Sequence, residues 1–114
     1  MKRLMLTFVV AASMPVLAEA PAGDAVRGKA AFMKNMCYSC HGTAGQGGDR
    51  GSGPRIAYDV WPWEGFAQQV RRPRESMPRY PAEHLGDADL ADIYAYVASQ
   101  KRGAPAKDIA LLKD

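Results

Sequence analysis

The run Cys37-Tyr38-Ser39-Cys40-His41 constrains this chain more than any other stretch. C-x-x-C-H is the spacing at which a c-type haem is attached. On one helical turn, Cys37 and Cys40 stand at i and i+3 and point to one side. Their thiols can then reach two vinyl groups on neighbouring pyrroles and form thioethers. His41, one residue further round, turns an imidazole nitrogen towards the iron. Three other readings compete. A redox disulfide wants a βαβ pattern with the pair at a helix start, and the sequence offers no convincing strand. A zinc site needs four ligands. Cys37, Cys40, His41 and His84 barely supply them, and adjacent Cys40 and His41 break the usual spacings. A plain structural disulfide leaves His41 unexplained. Haem attachment uses all three residues.

The 114 residues are enough for one small domain. Lys2 and Arg3 precede an apolar stretch, Leu4 to Ala12, which is too short to span a bilayer. Small residues follow, so residues 1–18 are expected to be a cleaved signal peptide. Cutting after Ala18 is preferred; cutting after Ala20 would put Pro21 first. The expected domain is therefore 19–114, exported to the periplasm, with no transmembrane segment in the mature chain. Losing Lys2 and Arg3 lowers the formal charge from +3 to +1, and two haem propionates would make it slightly negative. The basic pI is thus partly a property of the signal and gives no reason to expect nucleic acid. The first cysteine is Cys37, so no lipid-anchor cysteine is expected near the cleavage site. A chain this short buries only a modest core, and a large apolar cofactor would supply the missing interior.

Along the chain, Asp24 is the expected N-cap of a first helix running to about Met36. Val26, Ala30 and Met33 fall at i, i+4 and i+7 on it. Gly28 and Phe32 share another line, and a glycine inside a helix, costing up to about 1 kcal/mol against alanine, points to close passage of a second helix. Gly42 to Gly53 holds six glycines in twelve residues and reads as a flexible loop near the haem edge. It lacks the G-K-[ST] ending of a phosphate cradle. Pro54 then offers a carbonyl and no N–H; it is either a fixed acceptor for the second nitrogen of His41 or only a stiffener of the turn. Pro62 fits the first turn of a second helix carrying Trp63, Phe66, Ala67 and Val70, which Pro73 ends. Trp61 and Trp63 are both candidates to donate an indole N–H to a propionate. Pro73, Pro78 and Pro81 keep the next segment extended. The last helix begins near Gly86, with acids in its first turn. Leu90, Ile93 and Val97 form its apolar line, Tyr94 and Tyr96 flank it, and Gly103 and Pro105 end it. Ile109, Leu111 and Leu112 are expected to dock the tail as a short turn.

An iron held by one histidine has an opposite position to fill. Met33 and Met36 lie too close to Cys37 to cross the ring. His84 sits in a polar run where an exposed histidine is ordinary. Met77 lies 36 residues beyond His41 in a proline-framed loop, long enough to come back on the far face. With imidazole and thioether on the iron, no site stays open for oxygen or substrate, and the soft sulfur favours Fe(II). The expected role is electron transfer, with no catalytic residues.

Taken together, Gly28 and Phe32 before Cys37-Tyr38-Ser39-Cys40-His41-Gly42, then Gly53-Pro54, Met77-Pro78, and Leu90 to Val97 with Tyr96 closely resemble the class I cytochromes c of bacteria. The resemblance spans essentially the whole mature chain. It implies an all-α cytochrome c fold, with three main helices and loops wrapped around one covalently attached haem c. It also implies thioethers at Cys37 and Cys40, axial His41 and Met77, Pro54 accepting from His41, and helices crossing near Gly28 and Tyr96. Gly86 departs from the usual Ser or Thr cap. The run from Pro73 to Tyr80 is similar to short bacterial carriers, including cytochrome subunits of periplasmic flavoprotein dehydrogenases.

Two functions follow as expectations. One is a diffusible carrier between a dehydrogenase donor and a terminal oxidase or reductase. The other is a fixed cytochrome subunit of a flavin- or molybdenum-dependent dehydrogenase. An open-site haem enzyme or gas sensor would require Met77 to be off the iron. Arg71, Arg72, Arg74 and Arg79 surround Met77 in sequence, either steering a negatively charged redox partner or forming a solvated face beside Glu75 and Glu83.

Overall fold

The computed structural model describes residues 19–112. The expected signal segment, 1–18, lies outside them. Among the described residues there are four α-helices and no strand. Three are the main helices: α1 (Ala25–Lys34), α3 (Trp63–Arg71) and α4 (Asp87–Ser99). The fourth, α2 (Tyr38–His41), is one turn and carries the end of the C-x-x-C-H run. The all-α architecture matches the expectation.

α1 starts where Asp24 accepts from the Arg27 N–H at 2.8 Å. It stops at Lys34, two residues before the expected end. Met36 takes a left-handed φ of 62°. The Met36 N–H then reaches the Met33 carbonyl, and the Cys37 N–H reaches the Phe32 carbonyl, both at 3.1 Å. This is the Schellman pairing, built on a methionine where glycine is usual. It turns the chain sharply, so that Cys37 opens the next helical turn.

The buried line of α1 is Gly28 and Phe32. Val26 is 81 % exposed, and Ala30 is also exposed, so the Val26–Ala30–Met33 spacing does not mark the core face. Two residues at about 100° each put Val26 roughly on the far side of the helix from Gly28. The phase is set by α4, which crosses there. A Cβ on Gly28 would lie 1.8 Å from the Asp92 carbonyl oxygen and 2.9 Å from Tyr96 Cβ. Phe32 fills the space beside the crossing and meets Tyr96 at 5.5 Å between ring centroids. Asp92 is 5 % exposed in the middle of α4. It accepts from the Asp24 N–H at 2.6 Å and from Arg27 Nε and Nη2 at 2.8 and 3.0 Å. The first turn of α1 is thereby tied to α4 by a two-pronged ion pair, which sequence periodicity did not reveal.

α3 is capped by Pro62 and turns Phe66 and Val70 inward. Tyr94 of α4 fits between Trp63 and Phe66, edge-on to each at 5.4 and 5.1 Å. Its hydroxyl donates to the Trp61 carbonyl. α4 begins at Gly86 with no side-chain cap and ends at Ser99, before Gly103 and Pro105 are reached. Arg71 bridges the start of α4 to α3. Its guanidinium donates to the Tyr80 and Leu85 carbonyls at 2.9 and 2.6 Å and to Asp87 at 2.6 Å. The tail forms two short 3-10 turns, Ala106–Asp108 and Ala110–Leu112. It does not dock as expected: Leu111 is 94 % and Leu112 62 % exposed. Three apolar residues without a partner helix bury too little area to hold a segment down.

Two outcomes follow. Gly28→Ala should lower the urea midpoint by the equivalent of about 1–3 kcal/mol, because α1 and α4 must separate to admit a methyl group between backbones. The Arg27 guanidinium and the Asp24 N–H hold the Asp92 carboxyl below its ordinary value. A depressed folded-state pKa gives stability that is complete above the unfolded value near 3.9 and is lost as pH falls through the folded value. Asp92→Asn should therefore be less stable than wild type at pH 7, with the two urea midpoints converging as the solution is acidified below about pH 4.

Candidate functional site

The C-x-x-C-H run forms its helical turn as soon as the Schellman turn releases it. The His41 N–H bonds the Cys37 carbonyl at 3.0 Å, and Ser39 closes on the Met36 carbonyl through both its N–H and its Oγ. Gly42, at φ 79°, ends the turn. Cys37 and Cys40 are free thiols, both half-buried. Burial pushes the Cys37 thiol up to about 11. A redox-active C-x-x-C pair has the reverse property, a thiolate held low by its surroundings.

The glycine-rich stretch after His41 is a loop whose end lines the cavity beside this motif. It folds against the back of α2. The Gly47 N–H bonds the His41 carbonyl at 2.8 Å, and the Ile56 and Ala57 N–H groups share the Gly45 carbonyl at 2.9 Å. A Cβ on Gly53 would fall 2.5 Å from the Cys40 carbonyl oxygen. Only a backbone without side chains can pass so close. That passage delivers Pro54, whose carbonyl oxygen stands 2.7 Å from His41 Nδ1. A carbonyl can only accept, so Nδ1 carries a proton, and Nε2 is the nitrogen whose lone pair the neutral ring would offer. The imidazole is thus oriented and prepared as a ligand.

Beside this motif lies a cavity of about 620 Å³, within the range of sites that enclose small ligands and cofactors. Cys37, Cys40, His41 and Pro54 all line it. Met77 lines it too, brought from the extended segment after α3, whereas His84 does not line it and is exposed. The structure therefore brings together all five residues singled out in the sequence. Met36 reaches the cavity while Met33 packs in the core. Trp61 lines it, and Trp63 turns instead to Tyr94. Its apolar walls are the buried Phe32, Phe66, Val70, Leu85 and Ile93. Protein interiors do not leave such apolar space to be filled by nothing. Walls of this kind, two thiols, an oriented imidazole and a thioether match the chemistry of a haem.

Tyr80 and Gln69 also line the cavity and were not singled out by the sequence. The Tyr80 hydroxyl donates to the Asn35 carbonyl at 3.0 Å, and its N–H to the Val70 carbonyl at 3.1 Å. It ties the Met77 segment to the turn before Cys37 and to α3. Its phenol is held above the ordinary value, chiefly by burial and then by the two cysteines. A tyrosine three residues after a methionine carries no periodic signal, so only the fold reveals the link. The Tyr96 hydroxyl likewise donates to the Thr43 carbonyl and pins the loop after His41 to α4.

The arginine cluster divides. Arg71 is committed to its carbonyls and Asp87 and is not a surface charge. Arg72, Arg74 and Arg79 are exposed and make no ion pair among the described residues, Glu75 and Glu83 included.

A family model described as cytochrome C oxidase, cbb3-type, subunit III matches residues 23–97. The chain belongs to this c-type cytochrome family. The match begins just before α1 and ends within α4, so it includes the motif, the glycine-rich stretch and Met77. No curated protein and no solved structure matches the chain. As a member, the cytochrome is a haem electron carrier with redox partners. Among the described residues no helix is long and apolar enough to cross a membrane.

Proposed function

We propose that this cytochrome is a periplasmic monohaem protein that carries single electrons between a dehydrogenase and a terminal oxidase or reductase. The observation that carries the reading is the convergence of His41, oriented by Pro54 at 2.7 Å, and Met77 on the cavity that Cys37 and Cys40 also line. Cys37 and Cys40 would hold one haem c through thioethers, with His41 and Met77 as axial ligands. When bound, the haem iron supplies a one-electron change between Fe(III) and Fe(II). The residues of the chain do the rest. His41 is held in orientation by Pro54, Met77 would fill the position a substrate would need, and Phe32, Phe66 and Val70 exclude water. Trp61, which lines the cavity as Trp63 does not, is the better candidate to donate its indole N–H to a propionate. The apolar stretch between Lys2 and the small residues before Glu19 supports export.

A second reading is favoured by the family description, which names an oxidase subunit. In it the cytochrome is a fixed subunit of an oxidoreductase, a flavin- or molybdenum-dependent dehydrogenase included. The exposed Arg72, Arg74 and Arg79 favour the diffusible carrier, because steering by charge matters for partners that meet and part.

Ferric holoprotein should show a sulfur-to-iron charge-transfer band. Met77→Ala should abolish it and lower the potential, while the intact mass still includes one haem; an unchanged spectrum would assign the ligand elsewhere. Electron transfer to an anionic redox partner should slow severalfold between about 10 and 150 mM salt as the screening length shrinks from about 30 to 8 Å. A rate indifferent to salt and to protein concentration would favour the fixed subunit.

A further inference from the structure

Met77 reaches the cavity from a segment with no helix or strand to hold it. Pro73 and Pro78 lack amide hydrogens, and Glu75 takes a left-handed φ of 59°. Tyr80 and Arg71 hold the far end of this segment, and the side chain that steadies the stretch before Met77 is Gln69, on the last turns of α3. Its Oε1 accepts from the Arg74 N–H at 3.4 Å, and its Nε2 donates to the Arg74 carbonyl at 3.4 Å. Each bond is long for its type, but a planar amide that makes both is held in place and in orientation. The same Nε2 donates to Met77 Sδ at 3.8 Å. A primary amide has two N–H groups, so the two donations use separate hydrogens. Turned over, the amide would set N–H against the Arg74 N–H, and its oxygen against both the Arg74 carbonyl and the sulfur lone pairs.

We propose that Gln69 is a positioning residue for Met77: it braces the loop through Arg74 and donates an N–H to the thioether, which raises the reduction potential. The proposal rests on Met77 as an axial ligand. An N–H whose positive end points at the sulfur draws electron density from it, which favours the less positive iron. Gln69 and Met77 are both half-buried on the cavity wall, where reduced dielectric strengthens such a dipole. No other side chain donates to Met77 Sδ among the described residues. A brace alone would change stability; the donated N–H also changes the potential.

The test uses purified holoprotein carrying Gln69→Leu, similar in bulk but with neither an N–H donor nor a sulfur. Its sulfur-to-iron band should persist. Its one-electron reduction constant should fall about three- to tenfold, the net worth of one hydrogen bond, and tenfold corresponds to 59 mV. Gln69→Glu is the second variant. It keeps an acceptor for the Arg74 N–H, cannot donate to sulfur when ionised, and should lower the potential likewise. It carries the test if the first variant does not accumulate with haem. A potential equal to wild type, with or without loss of stability, would overturn the proposal. A wild-type protein without the band would instead remove Met77 from the iron, and that is read before any variant is made.

Discussion

The contact between α1 and α4 at Gly28 is the constraint on which the rest of the structure depends. Because no side chain separates Gly28 from the Asp92 carbonyl, the two helices meet backbone to backbone. That closeness determines which face of α1 is buried, places Phe32 against Tyr96, and lets Asp92 reach both Asp24 and Arg27. The end of α1 is then held in space. The Schellman turn at Met36 starts the C-x-x-C-H helix from that fixed point. A helix pair packed by ordinary side chains would stand 8–10 Å apart and would carry the motif away from the far wall of the cavity.

From that crossing the site is assembled by carbonyls as much as by side chains. Cys40 and His41 present their backbone to a loop that approaches without side chains, and the loop brings Pro54 to His41. Tyr96 holds the same loop to α4, and Tyr80 holds the Met77 segment to Asn35. Arg71 gathers the carbonyls of Tyr80 and Leu85, so the chain between α3 and α4 needs no regular structure to have a defined path. The buried polar side-chain atoms among the described residues all find partners, as a polar framework around an apolar cavity requires.

Several elements were legible in the sequence because their signal is local. The cap at Asp24, the proline at the start of α3, the apolar line Leu90–Ile93–Val97 and the single turn of C-x-x-C-H each follow from neighbours within a few residues. Gly28 was legible as a crossing because a helix seldom accepts a glycine without a packing cause. Val26 and Ala30 misled for the converse reason: apolar spacing marks a possible face, and the partner helix decides which face is used. The end of α1 was missed because methionine is not a residue that announces a left-handed turn. The glycine-rich stretch was legible as a loop, but the hydrogen bonds that set its path were not, because their partners are backbone groups brought close only by folding. Tyr80, Gln69 and Asp92 were missed because their partners lie far away or on irregular chain.

By itself the sequence determined the class of chemistry: two cysteines and a histidine at one spacing, a proline and a methionine downstream, and helices enough to enclose a flat apolar group. Spacing along the chain suffices for that, since the reactive residues of the motif are neighbours on one turn. Only the tertiary structure decided that Arg71 is a brace and not a surface charge, and that Gln69 touches the sulfur of Met77. Those properties belong to atoms that meet through folding, and their distances are set by packing.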